Sequence, residues 1–131
     1  MGQGEILFDY RGEAMKFDIP GRLPGTNEII EAAKSHYAAY AKMKNTYTDM
    51  VAWLAKKLPK YDHISLVITW YEPNAKRDID NIASGAKFVL DGLVRAGTIP
   101  NDTQKHIKGI THQFEIDRQN PRVEVEILEV T

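Results

Sequence analysis

The sequence predicts an α+β fold, with a mixed β-sheet of about four to six strands and two principal α-helices. Two observations support this fold class. Short segments with strand-like alternation occur near both ends of the chain and at its centre, and two longer segments between them have helical periodicity. With 131 residues, of which 43% are hydrophobic, the chain has the size and composition of one domain, residues 1–131, with a hydrophobic core.

The N-terminal part of the chain predicts two strands, residues 5–10 and 14–19, on either side of residues 11–13. In the second strand, apolar residues alternate with charged ones, which is the period of a half-buried strand. A segment rich in proline and glycine, residues 20–25, then interrupts regular structure.

Two helices are expected between the strands. The first should span residues 28–58, because apolar residues recur along it at helical spacing, and Pro59 follows it. Its unusual length allows a break near residues 44–46. The second helix should span residues 80–95, with Gly97 in the position that follows the C-cap.

Three more strands complete the predicted sheet. Residues 62–71 alternate most regularly, with four large apolar side chains on one face. Residues 106–117 and 122–130 also alternate, and the turn-forming residues 119–121 lie between them. We therefore expect these last two strands to pair as a hairpin.

The composition excludes several kinds of protein. The chain contains no cysteine, which excludes disulfides and thiolate metal sites. No apolar run approaches the roughly 20 residues that cross a membrane. Residues 1–5 have neither the basic start nor the apolar core of a signal peptide. We therefore expect a cytoplasmic protein.

Charge is unevenly distributed along the chain. The formal net charge is −1, whereas proteins that bind phosphate backbones are usually basic. Residues 76–108, however, contain six lysines or arginines and four aspartates, which gives this segment a net charge of +2. A bound divalent cation would raise that charge further.

The segment with this positive charge also contains an Asp-x-Asp motif. Asp78 and Asp80 are two residues apart on a segment expected to be extended, so their side chains point to the same side at the start of a helix. Lys87 returns to about the same helical face, and Asp102 follows in a turn. Clustered carboxylates repel one another unless a cation is present. Because Mg²⁺ takes oxygen ligands together with substrate phosphates, the set indicates phosphoryl chemistry on a nucleic acid.

The same part of the chain resembles the RusA-like Holliday junction resolvases. The resemblance is carried by residues 76–82 (KRDIDNI), 86–93 (AKFVLDGL) and 97–104 (GTIPNDTQ). It implies a homodimeric endonuclease, dependent on Mg²⁺ with Mn²⁺ as a substitute, that cuts four-way DNA junctions by paired nicks. Such proteins are common in phages and prophages.

The resemblance also assigns roles to individual residues. Asp78, Asp80 and Asp102 match the metal-binding acids of the family, and Lys87 matches its essential lysine. The first-described members have this lysine nearer to the Asp-x-Asp pair, and residues 83–85 look like an insertion of about one helical turn. A whole turn keeps the lysine on the same face of the helix.

Other residues are assigned supporting roles. Four basic residues are expected to bind flanking phosphates with an affinity that depends on salt. These are Lys76, Arg77, Lys105 and Lys108. Asn81 either serves the start of the helix or orients one of the aspartates. Asp91 is explained by an ion pair with a residue one helical turn away, and we leave it out of the site.

Alternatives remain open at this stage. Asp78 or Asp80 could be an ordinary helix cap, and Lys87 could be a solvated helix lysine. At the level of function, the alternatives are a nuclease for other branched DNA, a junction-binding protein that does not cut, and a dimeric scaffold without a nucleic-acid role.

Overall fold

The structure, a computed structural model, describes residues 10–130 and has an α+β fold with a mixed four-stranded sheet. The elements in chain order are β1 (Tyr10–Pro20), α1 (Thr26–Ser35), α2 (Tyr37–Ala55), β2 (Ile64–Glu72), α3 (Ile79–Ala83), α4 (Ala86–Arg95), β3 (Ile107–Ile116) and β4 (Arg122–Val130). The predicted α+β class with a mixed sheet is thus confirmed, whereas four helices within residues 10–130 take the place of the two that were expected. In the part of the chain that is described, no helix is both long and apolar enough to cross a membrane.

The strands are arranged in the order β1-β4-β2-β3. β4 pairs antiparallel with both β1 and β2, whereas β2 and β3 pair in parallel. The expected hairpin between β3 and β4 is therefore wrong, since β2 lies between them. Burial explains the order: Val123, Val125 and Ile127 of β4 are at most 2% exposed, but Ile110 and Ile116 of β3 are 36% and 57% exposed. The more apolar strand occupies the centre of the sheet.

β1 differs from the two strands expected at the N-terminus. Residues 11–13 lie inside this strand, where the pairing with β4 changes register between Arg11 and Met15. A shift of register lets one strand accommodate extra residues without turning. The predicted strand at residues 14–19 is part of β1, and the strand predicted at residues 5–10 lies outside the described residues except for Tyr10.

The core lies between one face of the sheet and helices α2 and α4. Its centre is the predicted apolar face of β2, whose four members are at most 1% exposed: Ile64, Leu66, Ile68 and Trp70. Val51 of α2 and Phe88, Val89 and Leu93 of α4 belong to the same buried cluster. Burying each side chain of this size stabilises the fold by about 1.5–3 kcal/mol.

The first predicted helix is divided into two at His36, rather than near residues 44–46. His36 is extended, with φ −170° and ψ 135°, and its Nδ1 accepts a hydrogen bond from the backbone N–H of Ala38 at 3.1 Å. This side chain therefore caps α2. The helix ends at Ala55, four residues before the proline that was expected to end it.

The second predicted helix is also divided, at Ser84 and Gly85. A Cβ at Gly85 would lie 3.1 Å from the Leu23 side chain and 3.2 Å from the Trp70 ring, so glycine lets the break pack closely on the core. Gly97 has φ +79°, which confirms the left-handed residue expected after this helix.

A histidine beside the core predicts a pH dependence of stability. His112 accepts a hydrogen bond at Nδ1 from Trp70 Nε1 at 2.9 Å, and burial lowers the pKa of this histidine below its usual 6.5. The neutral ring is therefore favoured in the folded state. Its contribution to stability is present above pH 6.5 and is lost as the pH falls through the lower folded pKa.

We expect the free energy of unfolding, measured by urea denaturation, to fall between pH 7 and pH 5. In His112→Gln this decrease should be smaller than in the wild type, whatever the absolute stability of the variant. Equal decreases in both proteins would contradict this role for His112.

Candidate active site

The two aspartates of the Asp-x-Asp motif are exposed at the start of α3. Asp78 is extended, with φ −67° and ψ 149°, and its backbone carbonyl accepts a hydrogen bond from Ile82 N at 3.0 Å. Its carboxylate accepts no hydrogen bond from α3 within the described chain. Asp80 lies in the first turn, where its Oδ1 accepts from Asn81 N at 3.0 Å. Helix capping thus accounts for the backbone of Asp78 but not for its side chain.

An ion-pair network around the buried Glu72 lies directly before the motif. We call it the Arg77 clamp, and it consists of Arg22, Glu28, Glu72 and Arg77. Glu72 ends β2 and is 4% exposed. It accepts hydrogen bonds from Arg77 Nη2 at 2.7 Å and Nε at 3.0 Å, and from Arg22 Nη2 at 2.8 Å. Burial alone would raise the pKa of Glu72, but the two guanidinium groups outweigh it and lower this pKa below 4.5.

The other side of the Arg77 guanidinium reaches the segment that leads into α1. Arg77 Nη1 donates to the carbonyl of Leu23 at 3.3 Å and to Glu28 Oε1 at 3.1 Å. Burial would lower the pKa of Arg77, but Glu72 and Glu28 raise it above its usual value. The guanidinium is thus engaged within the fold, and phosphate binding by Arg77 stays a prediction that this arrangement does not favour.

Sequence reasoning missed the other members of the Arg77 clamp. A signal was present, because Glu72 is an acid that follows directly on the most apolar strand. An acid in that position needs a cationic partner if it is buried. Its partner Arg77 is close in sequence, but Arg22 and Glu28 become neighbours only in the folded chain.

Asn81 connects α3 to the start of α1. Asn81 is 6% exposed, and its Oδ1 accepts a hydrogen bond from Asn27 N at 2.9 Å. Gly25 packs against the same asparagine, so closely that a Cβ at Gly25 would overlap the Asn81 carbonyl. Two roles were left open for Asn81, namely support of a helix start and orientation of an aspartate. These contacts correspond to the first role, although Asn81 supports the start of α1 and not of its own helix.

Lys87 lies on α4 and is 41% exposed at its side chain. Its Nζ is 3.5 Å from Asp91 Oδ2, one helical turn away. This pair confirms the explanation given for Asp91. Such partly exposed pairs contribute about 0.3–0.5 kcal/mol to stability, which leaves the lysine free to exchange partners at little cost.

Asp102 is exposed in the loop between α4 and β3, where its backbone N–H donates to Asn101 Oδ1 at 2.7 Å. It lines a cleft of about 320 Å³ that also includes Lys44, Asp91, Val94 and Arg95. Asp78 and Asp80 do not line this cleft. We call this space the α2–α4 cleft, because the other lining residues belong to α2 and α4. Asp102 lines it from the loop after α4.

The three predicted metal ligands do not form a complete cation site. Among residues 10–130, no three histidine, aspartate or glutamate side chains lie close enough together to hold an ion. The convergence expected for Asp78, Asp80 and Asp102 is therefore not formed. The donor chemistry still fits Mg²⁺, which takes one or two carboxylates and completes its coordination with water and phosphate oxygens. The same residues do not fit a site in which the protein supplies every ligand of the ion.

The remaining predicted phosphate ligands are exposed lysines, namely Lys76, Lys105 and Lys108. Lys108 Nζ donates to the carbonyl of Gln104 at 3.1 Å. Lys76 precedes the Arg77 clamp, and the other two flank the start of β3. Their placement in the described structure leaves the predicted contact with DNA untested.

Comparison with known families identifies a match over most of the chain. The model of the family described as Endodeoxyribonuclease RusA matches residues 20–128, from the end of β1 to the last part of β4. No curated protein matches the chain. The matched range includes the Asp-x-Asp motif, Lys87 and Asp102, the residues on which the resemblance depended. The chain belongs to the RusA family of endodeoxyribonucleases.

Proposed function

We propose that this protein is a Mg²⁺-dependent endonuclease that resolves four-way DNA junctions in recombination and repair. The observation that carries this proposal is the family match over residues 20–128, which contains every predicted site residue. The exposed carboxylate of Asp78 supports it, because the helix that follows does not use this side chain as a cap.

Rigid support of the motif is consistent with catalysis. The Arg77 clamp attaches the residue before Asp78 to the end of β2 and to the start of α1. Asn81, the residue after Asp80, is attached to α1 by the hydrogen bond from Asn27 N. Two exposed carboxylates are therefore held between two anchored residues, and positioning of this kind lowers the cost of reaching the transition state.

The acidic residues would hold the cation in the complex with DNA. We propose that Asp78 and Asp80, with Asp102 where the loop allows it, bind Mg²⁺ or Mn²⁺ while a DNA phosphate supplies further oxygen ligands. The ion would polarise the phosphate and assist the departure of the 3′ oxygen. Lys87 would leave its weak pair with Asp91 and offset negative charge on the phosphate.

DNA affinity would come from exposed cations near the motif. We assign this role to Lys76, Lys105 and Lys108, and to Arg77 only if the clamp opens. Contacts of this kind neutralise phosphates irrespective of base sequence, so the affinity decreases as salt rises. A homodimer with two-fold symmetry would present two equivalent sites to a four-way junction, which has two-fold character itself.

Cleavage of a synthetic four-way junction tests the proposal. With each strand labelled in turn, the wild-type protein should make paired nicks in opposite strands in Mg²⁺ or Mn²⁺ and none in EDTA. A linear duplex of the same length serves as the control and should remain intact. Cutting in EDTA would contradict the metal dependence.

Two outcomes would favour other functions. Equal cutting of forks and flaps would identify a broader nuclease for branched DNA. Tight junction binding without product in either metal would identify a binding protein that does not cut. The second candidate is favoured by one observation, namely that the described residues do not gather three carboxylates around one point.

A further inference from the structure

The α2–α4 cleft contains a lysine to which no role has been assigned. Lys44 of α2 lines it from one side, and Asp102 lines it from the loop after α4. Its volume of about 320 Å³ is sufficient for a phosphate with part of its sugar. We propose that Lys44 binds a backbone phosphate of the DNA strand that passes Asp102. The inference rests on the proposed function and extends its DNA contacts to α2.

The charges in the cleft distinguish Lys44 from its neighbours. Asp91 pairs with Lys87 at 3.5 Å, and Arg95 pairs with Asp49. Among the described residues, Lys44 and Asp102 have no such ion-pair partner. Among the described residues that line the cleft, one cation, Lys44, and one carboxylate, Asp102, are therefore without an ion-pair partner, and they do not pair with each other.

A phosphate accounts for this combination of charges. An ammonium group and a carboxylate that face one cleft without contact leave room for a group between them. A phosphate oxygen accepts a hydrogen bond from the ammonium, while a cation can join another of its oxygens to the carboxylate. The DNA backbone provides this chemistry at every nucleotide.

The environment of Lys44 also favours a defined contact. The residue is half-buried, whereas Lys42 on the same helix is exposed and does not line the cleft. Packing of the aliphatic part of a lysine restricts its ammonium group to a smaller region. Lys42 therefore provides a matched control with the same charge on the same helix.

Salt dependence of junction binding tests the proposal. The Kd of the full chain for a fluorescent four-way junction is measured in Ca²⁺ between 50 and 200 mM KCl, for the wild type, Lys44→Gln and Lys42→Gln. If Lys44 neutralises one phosphate, the slope of log K against log salt should be less negative by about 0.9 in Lys44→Gln. Across this range the wild type should then lose roughly 3.5-fold more affinity than the variant. Lys42→Gln and Lys44→Arg should keep the wild-type slope.

The outcomes separate this inference from the proposed function. An unchanged slope in Lys44→Gln, or an equal change in Lys42→Gln, would overturn the role of Lys44 whether or not the protein cuts DNA. Absence of junction binding by the wild type would overturn it as well. If the wild type binds with the expected change of slope but cuts no branched DNA in Mg²⁺, the role of Lys44 stands and the assignment as a nuclease fails.

Discussion

Asp80→Asn is expected to reduce cleavage of a four-way junction at least about 100-fold, since it removes a negative charge where a cation and a reacting phosphate would meet. The fold should tolerate the change. Asp80 is exposed, and the hydrogen bond it accepts from Asn81 N at 3.0 Å can also be accepted by the oxygen of an asparagine side chain. The rate should be measured under single-turnover conditions, which separate hydrolysis from product release.

Two controls make this result specific. Asp18→Asn removes the same charge from an exposed position on β1 and should cleave at the wild-type rate. Thermal unfolding of Asp80→Asn should match that of the wild type. If Asp80→Asn cuts as fast as the wild type, Asp80 is not part of the reacting centre, and the roles assigned to the Asp-x-Asp motif are wrong.

Removal of the central arginine of the Arg77 clamp should destabilise the fold. In Arg77→Met, the Glu72 carboxylate loses two hydrogen bonds while it stays buried, and Arg22 alone remains to offset its charge. Breaking a buried pair by removing one partner commonly costs 3–5 kcal/mol. Because Arg22 remains, we expect a loss of about 2–3 kcal/mol in the free energy of unfolding.

A comparison of variants identifies the cause of this loss. Arg95→Met removes an exposed pair with Asp49 and should cost less than about 1 kcal/mol. The double variant Glu72→Met, Arg77→Met removes the buried charge as well and should recover part of the stability lost in Arg77→Met. A double variant that is less stable than Arg77→Met would contradict the view that an unpaired Glu72 causes the loss.

The Arg77 clamp should also make the free energy of unfolding depend on pH. The pKa of Glu72 is lowered in the folded state, so its contribution to stability is present above pH 4.5 and is lost as the pH falls through the folded value. In Arg77→Met this decrease should be weaker, because the charge that lowers the pKa is reduced. The decrease due to Glu72 begins below pH 4.5, whereas the decrease due to His112 begins below pH 6.5.

Local patterns in the sequence were sufficient for much of the fold. The alternation at residues 62–71 identified the face of β2 that forms the core, and Gly97 identified the end of α4. The alternation along a strand and the glycine after a helix each depend only on the backbone conformation of a single element. The hairpin between β3 and β4 was predicted wrongly because both segments alternate in the same way, and alternation does not show which strand lies at the centre of the sheet.

In the candidate site, too, local features could be predicted from the sequence and contacts between distant segments could not. The Asp-x-Asp motif was correctly expected at the start of a helix, since two aspartates before a helical pattern indicate this position. The clamp around Glu72 depends on contacts between distant segments, which periodicity does not reveal. The break at His36 is a local cap on Ala38 N, which an apolar pattern that continues through this residue does not reveal either. The described residues do not gather three carboxylates around one point, and Asp102 lines a cleft that Asp78 and Asp80 do not.

The position of β4 has a consequence for synthesis of the protein. It follows every other described element in the chain, yet it lies between β1 and β2 and joins them. While the ribosome is still making this strand, β1 has no partner among the described strands, and the edge of β2 that pairs with β4 is open. Unpaired strand edges on a nascent chain invite association with other chains. Chaperone protection would therefore matter most in the interval before β4 emerges from the exit tunnel.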